Sequence, residues 1–380
     1  MKLFISKEAL NDAIQQVSKA ISPRTTIPIL SGIKIDADAN GVTLTASDTD
    51  ISIQSFISAE ETNRTNIRLE RPGSVVLAAK FFVEIIKKLP TDDVEIEVND
   101  HFQATIRSGK TEIQLVGMDP EEFPLLPKLE EKKVFTISGI VLKTMIRQTV
   151  FAVSLNESTP ILTGVLWTLK DGILKFVATD RHRLATREAQ VNADASLELN
   201  NVVISGKTLN ELSKIIPDQD TLVSIVATDT QILFKLNHVL FFSHILDGTY
   251  PDTSKIISQN YKTEMIIDNA ALTDAIDRAY LLSREEKTNI VRLTTNEDQT
   301  VEISSSSNEL GKVTEQISVA KMEGEPLKIS FNSKYMLDAL KVTDSEKVHI
   351  GFTGMMSPII IRPVDDVNML HLILPYRTVN

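Results

Sequence analysis

The sequence predicts an α+β protein made of three copies of one unit, each an antiparallel sheet with its helices gathered on one face. Three observations carry this prediction. A helix, turn and strand signature occurs three times, as AKFFVEIIKKLPTDDVEIEV from Ala79, GKTLNELSKIIPDQDTLVSIV from Gly206 and SKYMLDALKVTDSEKVHIGF from Ser333. Lys80, Lys207 and Lys334 stand 127 positions apart each time, and the apolar residues after them keep step. A period this long marks a repeated structural unit, and a chain of 380 residues holds three of them at an ordinary domain size. The expected segments are 1–128, 129–258 and 259–380.

Each segment opens on an amphipathic helix. Leu10, Ala13, Ile14, Val17 and Ile21 recur at helical spacing behind Ser6, a suitable N-cap. Leu142, Met145, Ile146 and Val153 repeat the pattern, as do Leu272, Ala275, Ile276 and Ala279. The helical stretches are 7–24, 80–88, 140–153, 207–216, 269–284 and 334–341. Alternating strands follow the opening helix, as PILSGIKIDADANGVTLTASDTDISIQSFI and PILTGVLWTLKDGILKFVATDRHRLATREA; Pro28 and Pro160, Gly32 and Gly164, and Asp48 and Asp180 are each 132 apart. NIVRLTTNEDQTVEISSSSNELGKVTEQI keeps the alternation in the third segment. The connectors from Gly117 and Leu246 also repeat, with Phe123-Pro124 and Tyr250-Pro251 again 127 apart, so they are expected to pack on their segments.

With 42% hydrophobic and 24% charged residues, the chain can bury a large core. The absence of cysteine excludes disulfides and cysteinyl metal sites. MKLFISKEAL lacks a signal-peptide pattern and no apolar run has the length of a membrane span, so a cytoplasmic location and no membrane partner are expected. The net charge of −11 argues against a surface coated in positive charge, yet the six helical stretches hold 14 Lys or Arg against 7 Asp or Glu. If those helices share a face, that face is basic within an acidic protein; the alternative is that Lys and Arg simply suit solvated helix faces.

Motifs for chemistry are sparse. The GKT tripeptides at Gly109 and Gly206 lack the earlier glycine of a phosphate loop, since Ala104 and Asn201 stand there. The six histidines show no close metal-ligand spacing, and neither metal nor cofactor is expected. His182, between Arg181 and Arg183 in ATDRHRLA, reads as a general base or as a turn or binding residue. Asp48 and Asp180 fall at equivalent positions and read as turn caps, and Asp92 and Asp93 as solvated turn carboxylates. No GxSxG or carboxylate pair suggests an enzyme. Aromatic residues make up 5% of the chain, with no stacking platform and no helix-turn-helix, so any DNA contact is expected to be with phosphates and blind to sequence.

SPRTTIPILSGIKI from Ser22, RQTVFAVS from Arg147, ATDRHRLA from Ala178, YPD at Tyr250, FNSKYMLDALK from Phe331 and LILPYR from Leu372, in this order, resemble the bacterial DNA polymerase III beta subunit family, the sliding clamps. The resemblance runs the whole length. It implies a head-to-tail homodimer closed into a six-domain ring around duplex DNA, with Ile113 and Leu115 meeting Leu281 and Leu282 of the other subunit. It implies a processivity factor, not an enzyme, that tethers the polymerase III alpha-type subunit, the clamp loader and repair proteins. Their peptides would enter a pocket formed by Leu162, Thr179, His182, Arg183 and Leu184, then Pro251 and Ile256, then Asn332, Tyr335, Met355 and Ser357, closing with Leu372, Ile373, Leu374, Pro375 and Arg377. Arg24 is the DNA-facing residue that the family pattern carries over. Lys80, Lys87, Lys88, Arg147 and Lys207, on the helical stretches, join it as DNA-facing candidates. Arg181 and Lys255 depart from the family pattern at the pocket rim, Tyr376 departs from it near the C-terminus, and Thr159, Pro160 and Ile161 depart from it near DNA. Two other readings stay open: a monomeric peptide-binding scaffold, and a nucleic-acid hydrolase using His182.

Overall fold

A computed structural model describes residues 1–377 except 23, 62, 63, 66, 128, 131, 132, 259, 286, 287 and 308, and leaves the side chains at 60, 61, 64 and 65 undescribed. The expected ends of the first two segments, 128 and 258/259, thus touch positions outside the described residues. Six α-helices occur among the described residues: α1 Lys7–Val17, α2 Ala79–Lys88, α3 Gly139–Arg147, α4 Gly206–Ile215, α5 Asn269–Glu285 and α6 Ser333–Lys341. Each begins at the residue after a strand ends, as Lys2–Ser6 runs into α1 and Leu199–Ser205 into α4. That abrupt entry needs caps. The Ser6 hydroxyl accepts from the Ala9 amide, Asp268 Oδ1 from Ala271, and Asn332 Oδ1 from both Lys334 and Tyr335.

Three helices end on a shared device. The hydroxyls of Ser18, Thr149 and Thr343 each donate to the carbonyl four residues back, on Ile14, Met145 and Ala339. Side chains that compete for backbone acceptors in this way favour termination. The first and third stretches are therefore shorter than their periodicity suggests: α1 stops at Val17 before a 3-10 turn, Ser18–Ala20, and α3 at Arg147 before another, Val150–Ala152. Lys19 and Arg24 fall outside helix and α5 extends to Glu285. The helices thus carry twelve basic against eight acidic residues, an excess of four where the sequence suggested seven.

The chain divides into two compact units. The first comprises Met1–Ile140 and Glu211–Ile245. Its five-stranded sheet runs in the order 111–116, 103–108, 93–98, 2–6, 67–71. A second run of strands has the order 134–138, 222–227, 231–236, 239–244, 51–58, 41–47, 32–38, 73–78. Alternation puts Leu3, Ile5, Val94 and Ile96 inside, along with Leu10 and Ile14 of α1 and Phe82 and Ile86 of α2. Burying one such side chain contributes roughly 1.5–3 kcal/mol. The connector packs as expected: Met118 exchanges backbone hydrogen bonds with Val76, and Phe123 is buried with Ile29 and Leu30.

The second unit comprises Val141–Asn210 and Leu246 onward. Its nine-stranded sheet has the order 199–205, 164–170, 173–179, 183–190, 369–373, 359–363, 347–352, 263–268, 321–324, and a four-stranded sheet the order 311–318, 300–307, 290–295, 328–332. The turn between 164–170 and 173–179 is Asp171-Gly172, with φ of 52° and 74°, the pair of left-handed residues that a tight two-residue hairpin requires. Leu272, Ile276 and Ala279 of α5 and Met336, Leu337 and Leu340 of α6 share one core with Val291, Ile303 and Phe331. The middle segment contributes strands to both units: Val239–His244 pairs with Ile51–Ser58, and Arg183–Gln190 with Met369–Ile373.

Candidate functional site

Most of the expected pocket residues converge on the seam between Arg183–Gln190 and Met369–Ile373. Arg183 pairs with Ile373 and Leu184 with Leu372, and the chain continues so that the Leu374 amide donates to the His182 carbonyl at 2.9 Å. Beyond that, Pro375 bridges to Phe331, and the Tyr376 amide donates to the Ser330 carbonyl at 2.6 Å. The ATDRHRLA turn, the start of α6 and the last strand are thus fastened by backbone hydrogen bonds. Leu162, Leu184 and Leu372 form one buried cluster with Tyr250 and Ile360. At 1–3% exposure, Leu162, Leu184, Leu372 and Ile373 form an apolar floor; the surface above belongs to others.

Asp180 organises the turn. Its Oδ1 accepts from the amides of His182 and Arg183, at 2.9 and 3.0 Å, as Asp48 Oδ1 does from Asp50 and Ile51 at 2.8 Å each. The equivalent aspartates are therefore turn caps, as their repetition suggested. Arg183 is tied on every side: Nε donates to Asp180 Oδ2 at 3.0 Å, Nη1 to Asp338 Oδ2 at 2.6 Å and Nη2 to the Phe151 carbonyl at 2.6 Å, while its guanidinium lies 4.4 Å from the Tyr335 ring centre. Burial holds the Tyr335 phenol above its usual pKa, with the Asp180 charge adding to the effect. The His182 ring lies near-parallel to Tyr335, 6.4 Å between centres, on the exposed side. The Thr179 amide donates to the Tyr250 hydroxyl oxygen and the Thr179 hydroxyl to the Arg183 carbonyl, and burial pushes the Tyr250 phenol strongly upward.

Four of the apolar side chains in these segments are exposed: Ile256, Met355, Leu374 and Tyr376, the last two following directly on strand Met369–Ile373. Pro251 and Arg377 are exposed near them in sequence, Asn332 is occupied as the α6 cap, and the Ser357 amide donates to the Gly354 carbonyl in a turn just before strand Ile359–Pro363. Among the described residues, Ile256, Met355 and Arg377 make no polar contact with His182 or Tyr335. Asp338 and Phe151 escaped sequence reasoning. Asp338 lies three residues after Tyr335 on the same helix face, a spacing that could have flagged it; the Phe151 carbonyl leaves no side-chain signal. Arg181 adopts φ of 76°, a conformation costly for a residue with a Cβ, and donates to Thr159 Oγ1 at 3.2 Å.

The DNA-facing candidates differ in their pairing. Arg24, Lys80, Lys87, Lys88 and Lys207 are exposed. Lys88 pairs with Glu84 at 3.1 Å, and Lys80 lies over Phe81. Arg147 is engaged by Asp344 and by the Val342 carbonyl, so part of its charge is compensated. Lys80, Lys207 and Lys334 are each the second residue of a helix, where an ammonium cannot accept an amide hydrogen; they do not cap. Ile113 and Leu115 sit half-buried on Thr111–Val116, the free edge of the five-stranded sheet, and Leu281 is exposed on α5 beside half-buried Leu282.

Gly109 forms a hairpin turn and Gly206 opens α4 directly from a strand, without a phosphate-wrapping loop. Among the described residues no group of three or more His, Asp or Glu side chains is placed to hold a metal, and no helix is long and apolar enough to cross a membrane.

Residues 1–127, 136–252 and 254–377 match, in turn, the N-terminal, central and C-terminal domains of the DNA polymerase III beta subunit. The chain belongs to the beta sliding clamp family. It is 51% identical to a beta sliding clamp of Halalkalibacterium halodurans and 52% to one of Bacillus subtilis, covering all of each chain. The fold agrees with the DNA polymerase sliding clamp of Bacillus subtilis at a TM-score of 0.97 and 51% identity, with both chains fully covered. The beta subunit of Streptococcus pyogenes gives 0.94 at 34% identity, also over both full chains. Three clamp domains in one α+β chain, acting as a DNA sliding clamp and processivity factor of replication, follow from this membership.

Proposed function

We propose that two copies of this clamp join head to tail into a ring around duplex DNA, with domain boundaries near 128/129 and 258/259, and act in the cytoplasm. The observation that carries the ring is a pair of unpaired strand edges. Thr111–Val116 ends one sheet, with Ile113 and Leu115 on one face and Val116 80% exposed; Gly311–Ser318 ends another, beside the α5 residues Leu281 and Leu282. Open edges with apolar side chains invite pairing with another chain. Two different edges, one from each end of the sequence, make a heterologous contact that can close on itself.

Closure turns retention from affinity into topology. The ring then needs only weak phosphate contacts, from Arg24, Lys80, Lys87, Lys88 and Lys207, with Arg147 partly spent on Asp344. Weak contacts also permit sliding. Partner peptides from the polymerase alpha-type subunit, the clamp loader and repair proteins dock on the apolar surface over the Leu162, Leu184 and Leu372 floor, where Arg183 serves as a fixed strut. Tethering raises the partner's effective concentration at the primer end, so the clamp works by binding and not by catalysis. The test is retention on nicked circular DNA after loading, against the same DNA linearised. Slow release from the circle and fast release from the line is expected; equal release from both overturns the ring.

A further inference from the structure

The four-stranded sheet of the third domain turns a polar face away from its helices, and that face holds a cavity of about 470 Å³. Arg292, Lys312 and Lys328 line it, with one carboxylate, Glu302. None of these four forms an ion pair with a described residue. Ser304 and Ser330, 8% and 5% exposed, also line the cavity, and their hydroxyls have no protein partner among the described residues. These hydroxyls and the three cations therefore open on one cavity, where all of them can donate hydrogen bonds to an anion.

The repeats provide an internal control. Strand pairing makes Gly32, Gly164 and Ile290 equivalent, since they pair with Ala78, Ser205 and Asn332 at the strand that enters the second helix of each domain. Two residues on, Lys34, Leu166 and Arg292 therefore correspond. Lys34 is neutralised by Asp36 at 3.4 Å; the position matching Asp36 is Thr294 beside Arg292. In the second domain Lys175 faces Glu188 across the ladder at 2.8 Å, and the matching pair in the third is Glu302 and Gln316. At these positions the first two domains pair their cations within the sheet. In the third, Arg292 lacks the first domain's carboxylate, and Glu302 stands where the second domain has its lysine.

We propose that this face is a binding site for a small oxyanion carrying more than one phosphate group. The register sets Lys312, Arg292 and Lys328 along a diagonal spanning about 20 Å between the outer Cα atoms, from a strand spacing of ~4.8 Å and a rise of ~3.4 Å per residue. Several cations with hydroxyls between them match several anionic oxygens, whereas one carboxylate would leave most donors unused. Ile290 is the only apolar lining side chain, so the cavity has no platform for a base.

Inorganic pyrophosphate is the probe, titrated calorimetrically into the intact chain in low salt without divalent cations. The expected dissociation constant is below about 1 mM, with inorganic phosphate at least about tenfold weaker. Thr294→Asp, which restores the first domain's pairing, and Lys312→Gln/Lys328→Gln, on exposed side chains, should each weaken binding by at least about tenfold with unchanged thermal unfolding. Lys80→Gln/Lys87→Gln on α2 should leave it unaltered. The proposal is overturned by no heat at about 10 mM pyrophosphate, by equal binding of phosphate and pyrophosphate, or by loss of binding in the α2 variant alone.

Discussion

Acidification should weaken the second unit through one buried imidazole. His371 lies in strand Met369–Ile373, 1% exposed, edge-on to Phe151, with Nε2 3.2 Å from the Gln148 carbonyl. Burial lowers its pKa to about 4 from 6.5, against the opposing influence of hydrogen bonds to the Gln148 and Ala339 backbones. The folded state therefore refuses a proton that the unfolded chain takes up near pH 6.5. The stabilisation is complete above that pH and is lost as pH falls toward 4. At 1.36 kcal/mol per unit the full loss is about 3 kcal/mol, of which about 2 kcal/mol is gone by pH 5. Trp167, the chain's single tryptophan, is buried against Phe176 in the same sheet and reports unfolding of this unit by fluorescence. Urea unfolding at pH 8 and pH 5 is compared with His371→Gln, which keeps a donor for the Gln148 carbonyl and does not titrate. The parent should lose about 2 kcal/mol more than the variant across that range. Equal losses would refute the argument, since every other group titrates in both proteins.

Arg183→Ala strands two carboxylates and a carbonyl in a nearly buried site and should cost about 3–5 kcal/mol in the same urea assay, with Arg183→Lys recovering only part because an ammonium cannot reach three acceptors in a plane. Leu281→Asp should shift the chain to a monomer in light scattering at micromolar concentration, as a charge at an interface centre costs about 2 kcal/mol or more. Met355→Ala with Leu374→Ala should weaken binding of a short apolar partner peptide by about tenfold or more, measured by fluorescence anisotropy, without moving the melting temperature. Replacing Lys87 and Lys80 by Gln should lower the slope of log affinity against log salt for duplex DNA by up to about 0.9 for each contact removed.

The architecture was legible because it is written in periodicity. Alternation in GIKIDAD and GVLWTLK predicts the strands, and the 127-residue spacing predicts their recurrence. The helix ends were not legible: apolar spacing continues past Val17 and Arg147, while termination depends on single hydroxyls, at Ser18 and Thr149, whose backbone bonds leave no periodic trace. Within the candidate cleft, family resemblance named segments but could not distinguish buried from exposed positions. Leu184 and Leu374 read alike as apolar residues, and only strand pairing sends one inward and leaves the other exposed. Asp338 is the clearest omission, because a carboxylate on a helix has no signature until the guanidinium that it holds is located.

The strands lent by the middle domain set a limit on modularity. Its hydrogen-bonded ladders to Ile51–Ser58 and to Met369–Ile373 make the segment repeated in sequence different from a segment able to stand alone. Cutting the chain near 258/259 would strip Met369–Ile373 of its neighbour and expose a long apolar edge, prone to capture by any other strand.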